Sequence, residues 1–377
     1  MLNDIISKLI TELNEGIDER DLGGPYFDRI GYKVFPFTID KFHQIKGDNT
    51  SIRNMVFIDG GNQELIGAPN FSIQLNRIYF NIYSGKKRII QKVLPNKIEF
   101  FLATFSTLRN KEIDYDTIVF PVKDEWNKYL PLQSDLSFSA KDRANFTGTM
   151  REDIQRVASI SRRFAEWNYS RFVIEEILRE NDILIADGTL QATFTHEDCY
   201  LSGTQASAIK RGVIFSGLSK TSSLFTTTGL SLIGSLHKLH KDWNINFNKW
   251  YYYPVAEGLI SSHSVVIFIV KLHERADHIF RYEIIRDQAE SMAASELCDI
   301  LNNLAYISTD LTFPGYPYGL VDADDNARVR NDEVDVYRML LLSEISKRGL
   351  WRKFSRHMLS TDAHDILNTL KAGGSVR

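Results

Sequence analysis

Two aspartates in this sequence share a local context. Asp59 ends the apolar run Met55-Val56-Phe57-Ile58 and is followed by Gly60-Gly61-Asn62; Asp187 ends Ile183-Leu184-Ile185-Ala186 and is followed by Gly188. A short apolar run closed by glycine reads as a buried strand stopping at a tight turn, which places each acid at a strand end. An isolated Asp-Gly is more often an ordinary turn signal. A carboxylate at the end of a buried strand is nevertheless costly unless it meets a cation or changes protonation state, and two in the same setting invite a metal ion. In an open α/β sheet such groups collect at the carboxyl ends of strands, so Asp59 and Asp187 meet if their strands are neighbours. Magnesium or manganese suits them, because hard ions take carboxylate oxygens and keep waters for substrate phosphates.

Four further positions carry the same chemistry. Glu166, in Ser161-Arg162-Arg163-Phe164-Ala165-Glu166-Trp167, is a candidate third carboxylate, with Glu175 and Glu176 as rivals; a solvated glutamate pairing with Arg162 or Arg163 is the plainer alternative. Lys220 follows a strand in a loop of small residues, where an ammonium reaches a phosphate oxygen or a leaving group. Tyr316-Pro317-Tyr318, held between prolines and glycines, offers a ring for base stacking or a hydroxyl for a phosphate, or simply packs on the last helical region. Among Asp322, Asp324 and Asp325, one is placed to complete a metal site, unless the cluster is only an acidic helix start.

The elements that must position these residues follow from periodicity. Residues 2–13 have apolar positions at helical spacing, giving an amphipathic opening helix that packs on the core or on a second subunit. Residues 54–58 are the first acidic strand, and 71–83 and 98–107 are strands that pair with it as an antiparallel meander. Residues 124–141 read as a connection or insertion, 150–180 as a long helix with many arginines, and 183–187 as the second acidic strand. A strand over 212–217, a helix near 230–239, strands at 250–254, 265–272 and 279–284, and a helix over 289–304 follow. Residues 313–320 are too rich in proline and glycine for regular structure, and they lead into a helical region over 324–346. The domain reading is an N-terminal helical, dimerising segment over 1–50, a core domain over 51–330 with an insertion around 108–150, and a C-terminal helical region over 331–377. Residues 373–377 look loose.

The 377 residues carry a formal net charge of −3, with 43% hydrophobic and 25% charged residues. That is an ordinary globular composition with ample core. The negative balance argues against a protein that coats DNA through a global basic excess, yet leaves room for a local basic channel. Arg151, Arg156, Arg162, Arg163 and Arg171 on the long helix, and Lys86, Lys87, Arg88 and Lys92, are candidate backbone-tracking segments, although such charge is more often plain solvation. Cys199 and Cys298 are too few for a disulfide framework or a thiolate zinc site. With no signal peptide and no membrane-length apolar run, a soluble cytoplasmic protein is expected. No phosphate-binding Walker loop, dinucleotide fingerprint, zincin helix or serine-hydrolase elbow is present.

In order along the chain stand Phe57-Ile58-Asp59-Gly60-Gly61, an Arg-x-x-Glu helix ending at Glu166, Leu184-Ile185-Ala186-Asp187-Gly188-Thr189-Leu190, Leu218-Ser219-Lys220, and Gly315-Tyr316-Pro317-Tyr318. This order resembles the NurA family of nucleases, over roughly residues 54–328. The resemblance implies an α/β fold: an RNase H-like mixed sheet with flanking helices and insertions. It also implies a toroidal homodimer that docks on a HerA-type hexameric ATPase and translocase and digests DNA during end resection, with manganese as the usual metal. Carried over by motif, Asp59 and Asp187 are the paired metal-binding aspartates, Glu166 the intervening glutamate, Lys220 the active-site lysine and Tyr316 the loop tyrosine. The spacing from Glu166 to Asp187 is longer than the family's pattern. A histidine common in the family just after the tyrosine loop is replaced here by Asp324, which binds a hard metal but cannot act as a neutral imidazole ligand.

These residues together imply a metal-dependent deoxyribonuclease, hydrolysing phosphodiesters with two Mn2+ or Mg2+ ions held by Asp59, Glu166, Asp187 and Asp324, in DNA repair or in defence against phage. A nuclease-like scaffold that regulates a partner ATPase without cutting is the main alternative, motivated by the missing histidine. An actin-like or sugar-kinase-like phosphotransferase is a third, disfavoured by the absence of a glycine-rich adenosine motif.

Overall fold

The computed structural model describes residues 2–28, 30–47, 53–142, 146–147, 150–151 and 154–359. It opens with α1 (Leu2–Gly16), which has the expected apolar stripe, but none of its residues is buried. Ile5, Leu9, Ile10 and Leu13 are all more than half exposed. The helix does not pack on the core, because periodicity decides which face is apolar and not what covers it. Two short strands follow, β1 (Tyr32–Val34) and β2 (Phe42–Gln44), both pairing with a strand far along the chain.

The central part of the sheet is built from long strands: β3 (Asn54–Ala68), β4 (Phe71–Ser84), β6 (Lys97–Arg109) and β7 (Glu112–Pro121), with short β5 (Lys87–Ile89) and β8 (Ser137–Ser139) at their margins. The pair β9 (Phe146–Thr147) and β10 (Met150–Arg151) stands apart. The long helix α2 (Ile154–Glu176) then leads to β11 (Ile183–Asp187), α3 (Glu197–Arg211), β12 (Ile214–Ser219), α4 (Leu232–Asp242), β13 (Trp250–Gly258), β14 (Val265–Lys271) and β15 (Phe280–Ile285).

One 13-stranded sheet runs in the order β1-β13-β14-β15-β12-β11-β3-β4-β6-β7-β8, with β2 paired to β13 and β5 paired to β4 off this path. β11 is parallel to both β3 and β12, whereas the pairs β3-β4, β4-β6 and β6-β7 are antiparallel. The five strands β6-β4-β3-β11-β12 therefore form an antiparallel meander joined through its first strand to a parallel pair. That is the strand order of an RNase H-like core, and α2 makes the crossover that a parallel connection requires. β11 is an unbroken apolar run up to Asp187, and β12, although it carries Ser216, Gly217 and Ser219, is buried along its whole length, because helices cover both faces of these strands. On one face Val56, Ile58, Leu184 and Phe215 pack beneath Ala165 and Trp167 of α2.

The chain after β15 covers the other face. Where one helix over 289–304 is expected, extended backbone at Met292 and Ala293 divides α5 (Arg286–Ser291) from α6 (Ala294–Ile307). The proline- and glycine-rich stretch stays irregular only as far as Pro317, from which α7 (Tyr318–Ala327) departs. Extended backbone at Arg328 separates α7 from α8 (Asn331–Lys347), and α9 (Trp351–Met358) follows. Leu320, Ala323 and Ala327 of α7 pack on Met55, Phe57 and Tyr79. Residues 373–377 and the side chain of Arg151 lie outside the described residues.

One expectation is corrected. Asp59 is not at a strand end: β3 continues unbroken to Ala68, paired residue by residue with β4 through Gly60 and Gly61. Neither glycine has a positive φ. They are glycines because other groups lie against the strand there: a Cβ on Gly61 would come 2.3 Å from the carbonyl oxygen of Ala327. Gly61→Ala must displace the end of α7 and is expected to destabilise the protein by about 2–3 kcal/mol, read from a denaturant midpoint. Gly234→Ala on α4, where the nearest atom is 3.5 Å away, serves as the comparison and should be neutral or mildly stabilising. Equal midpoints for the two variants would contradict this close approach.

Candidate metal centre

β3 and β11 are parallel neighbours with Ile58 opposite Ala186. The next residue on each strand is an aspartate. Alternation along the strands turns Asp59 and Asp187 to the same face as Phe57 and Ile185, the face that α7 covers. α7 contributes Asp324, and one carboxylate oxygen from each of Asp59, Asp187 and Asp324 lies within 4.8 Å of the others. Of the three acids considered on this segment, Asp324 is the one that joins the cluster. Asp322 is held by the Asn81 amide at 2.8 Å and by Arg88 at 3.4 Å, and Asp325 is exposed.

Lys220, at the end of β12, bridges two members. Its Nζ is 2.6 Å from an oxygen of Asp187 and 2.6 Å from one of Asp324. Arg328 holds the other Asp324 oxygen at 2.5 Å, four residues along the chain. Sequence reading missed Arg328; its i, i+4 spacing from Asp324 was the available signal. Tyr316 is 1% exposed, with its hydroxyl 3.5 Å from Asp187 and its ring 5.8 Å from the Lys220 ammonium. Asp59 accepts a hydrogen bond from the Gly60 amide at 2.7 Å.

The electrostatics divide the acids. Burial, then the charges of Asp187 and Glu166, push the Asp59 carboxyl up to about 8. Burial also acts on Asp324, but Lys220 and Arg328 outweigh it and hold that carboxyl below the usual range. Burial alone would depress the Lys220 ammonium, yet Asp187, Asp324 and Asp59 raise it, so it stays charged. Tyr316 is pushed up by burial and by Asp187, so it stays neutral.

Glu166 is brought near, but not into the cluster. It lies on α2, 4% exposed, with one oxygen 2.9 Å from Nη1 of Arg162. The same Arg162 nitrogen donates to the carbonyl of Gly60 at 2.6 Å. Gly60 leaves the space in which Arg162 and Glu166 sit, since a Cβ there would lie 2.9 Å from both side chains. The expected pairing with Arg162 is present, in a buried rather than solvated setting; burial raises the Glu166 carboxyl against the pull of Arg162 and Arg163. Glu175 and Glu176 are exposed farther along α2. Arg163 does not face solvent as a backbone-tracking residue would: it pairs with the fully buried Glu197 and donates to the Gln191 carbonyl.

Three hard carboxylate oxygens at this spacing fit a divalent cation of the magnesium or manganese type, whose ligands at about 2.1 Å lie roughly 3–4 Å from one another. The high Asp59 carboxyl points the same way, because a desolvated acid beside two others lacks a sufficient countercharge. Sulfur and imidazole ligands are absent from the cluster.

No curated protein matches the chain. Among solved structures it is similar to Ciona intestinalis Endonuclease V in complex with a DNA containing an inosine, at 8% identity and a TM-score of 0.35, covering 76% of this chain and 90% of that one. It is also similar to the catalytic domain of human Endonuclease V, at 9% identity and a TM-score of 0.33, covering 92% and 98%. A third similarity is to A. aeolicus Argonaute, at 9% identity and a TM-score of 0.31, covering 75% of this chain and 29% of that one. Residues 53–329 match the NurA domain. That span contains β3, β11, β12 and α7 with Asp59, Asp187, Lys220 and Asp324 in the order described, and the chain belongs to the NurA domain family.

Proposed function

We propose that this protein is a metal-dependent deoxyribonuclease that hydrolyses phosphodiesters with two Mn2+ or Mg2+ ions, as a homodimer working with a HerA-type hexameric translocase in DNA end resection or defence against phage. Family membership supports the nuclease. The observation that carries the metal dependence is the meeting of Asp59, Asp187 and Asp324 beside a lysine on one face of the sheet.

Asp59, Asp187 and Asp324 would hold the ions, with Glu166 beside them. Divalent ions bound there supply an activated water and charge neutralisation at the phosphate. Lys220, already charged and 38% exposed, is placed to stabilise the anionic oxygens of the substrate. Tyr316 stays protonated and can donate its hydroxyl to a phosphate or to Asp187. Asp324 stands where the resemblance places a histidine, so a bound ion would take oxygen ligands from these three acids, which would favour hard ions.

End-labelled linear DNA with Mn2+ or Mg2+ should be degraded, and EDTA should stop it. A partner ATPase of the HerA type should alter the rate but not the metal requirement. Partner binding with no metal-dependent cleavage, alone or in the complex, would overturn the nuclease and favour a regulatory scaffold.

A further inference from the structure

A second opening lies on the same side of the sheet, where α7 begins. A pocket of about 300 Å3 is lined by Tyr83 of β4, Lys86 in the turn after it, Ile307 at the end of α6, the 309–311 loop and Tyr318. Tyr318 is two residues from Tyr316, whose hydroxyl approaches Asp187, so the chain separating them spans at most about 7 Å. Tyr83 lies four residues along β4 from Tyr79, the partner of Asp59, or about 14 Å at ~3.4 Å per residue. A DNA strand advances about 3.4 Å per nucleotide along its axis. The pocket is therefore within roughly four nucleotides of the carboxylate cluster.

Its chemistry is that of a nucleotide site. Tyr318 is 43% exposed and stands edge-on to the buried Tyr83, with ring centroids 6.0 Å apart at 89°. The buried ring buttresses the exposed one, which keeps over two-fifths of its surface open. Lys86 donates to the Thr309 hydroxyl at 2.8 Å and lies 4.8 Å over the Tyr306 ring. Among the described residues it has no carboxylate within salt-bridge distance. Asp310, the one acid in the wall, is engaged by the amide and hydroxyl of Thr312. An ammonium held by a hydroxyl and a ring, with its charge not met by a carboxylate among the described residues, beside a half-exposed ring matches a phosphate and its base, and base-aromatic stacking tolerates any sequence.

We propose that this pocket holds one nucleotide of the substrate strand, with its base on Tyr318 and its phosphate at Lys86, a few nucleotides from the bond that is cut. The proposal rests on the nuclease reading, so its test is binding without metal. A fluorescein-labelled DNA duplex with single-stranded tails is titrated with the full chain in EDTA, and anisotropy is read. Tyr318→Ala should weaken binding about 5-fold or more, the loss of one stacked base, and Tyr318→Phe should restore it. Lys86→Gln should reduce the slope of log affinity against log salt by roughly 1. Parent-like binding by Tyr318→Ala, equal loss in the Ala and Phe variants, or no DNA binding by the parent overturns the pocket. Hydrolysis of bis(p-nitrophenyl) phosphate by the parent with Mn2+ reports on the metal centre separately. Tyr318-dependent DNA binding without hydrolysis of DNA or ester leaves the pocket standing and removes the nuclease.

Discussion

Asp59→Asn is expected to abolish metal-dependent DNA cleavage while making the metal-free protein more stable at neutral pH. Asparagine keeps the shape and an acceptor for the Gly60 amide, but it is neutral and a poor ligand for a hard ion. Loss of several kcal/mol of metal-supplied stabilisation corresponds to roughly 10^3-fold or more in rate. The stability gain comes from linkage. The folded-state carboxyl of Asp59 lies at about 8, above its ordinary 3.8, so the native protein binds more protons than the unfolded chain between those values. Stability contributed by this group is fully present below about pH 4 and is lost as pH rises through about 8. The variant should match the parent near pH 4 and exceed it by several degrees in thermal midpoint at pH 8, with EDTA present. Thermal melts at both pH values, with single-turnover cleavage by the same preparations, decide the matter. Retained cleavage would remove Asp59 from the site, and a variant whose advantage over the parent does not grow from pH 4 to pH 8 would refute the electrostatic account. Asp187→Asn should lose cleavage to the same degree.

Lys220→Met separates holding a metal from using it. The ammonium lies 2.6 Å from both Asp187 and Asp324 and is the cation that bridges two members of the cluster. Removing it takes away a charge that opposes an incoming divalent ion, so Mn2+ binding should be no weaker than in the parent. Turnover should nevertheless fall about 10^2- to 10^3-fold, as for loss of a pre-organised group facing developing negative charge. The metal-free variant should also melt lower, because two clustered acids lose their shared partner, and Mn2+ should restore more of its midpoint than in the parent. Calorimetric Mn2+ titration beside single-turnover rates checks both halves. A variant that cuts DNA at the parental rate would reduce Lys220 to a structural countercharge.

Much of the scaffold was legible as pattern. The apolar run over β11 and the alternation over β4 and β6 gave strands of the right kind, and the paired Asp contexts gave the two strand positions that the sheet sets side by side. The turn after Asp59 was misread because Gly-Gly signals either a turn or a close approach, and local sequence holds no trace of Ala327, Arg162 or Glu166, each at least 100 residues away. Two arginines of α2 likewise depart from the charged surface that their spacing suggests: Arg162 pairs with the buried Glu166, and Glu197 and Gln191 turn Arg163 inward.

The sequence by itself determined which residues could carry the chemistry: acids after apolar runs, a lysine after a strand and a tyrosine in a constrained loop, each recognisable because side-chain period and glycine placement are local properties. Only the tertiary structure decided which of them meet. Asp322, Asp324 and Asp325 point in three directions around α7, and packing of Leu320, Ala323 and Ala327 on β3 sets the rotation that gives Asp324 to the cluster and Asp322 to Arg88. Glu166 likewise approaches through the gap above Gly60 and takes Arg162 as its partner. Burial and like charge then raise the carboxyl of Asp59, because a carboxylate's proton affinity depends on solvent and neighbouring charges that the fold, and not the local sequence, brings to it.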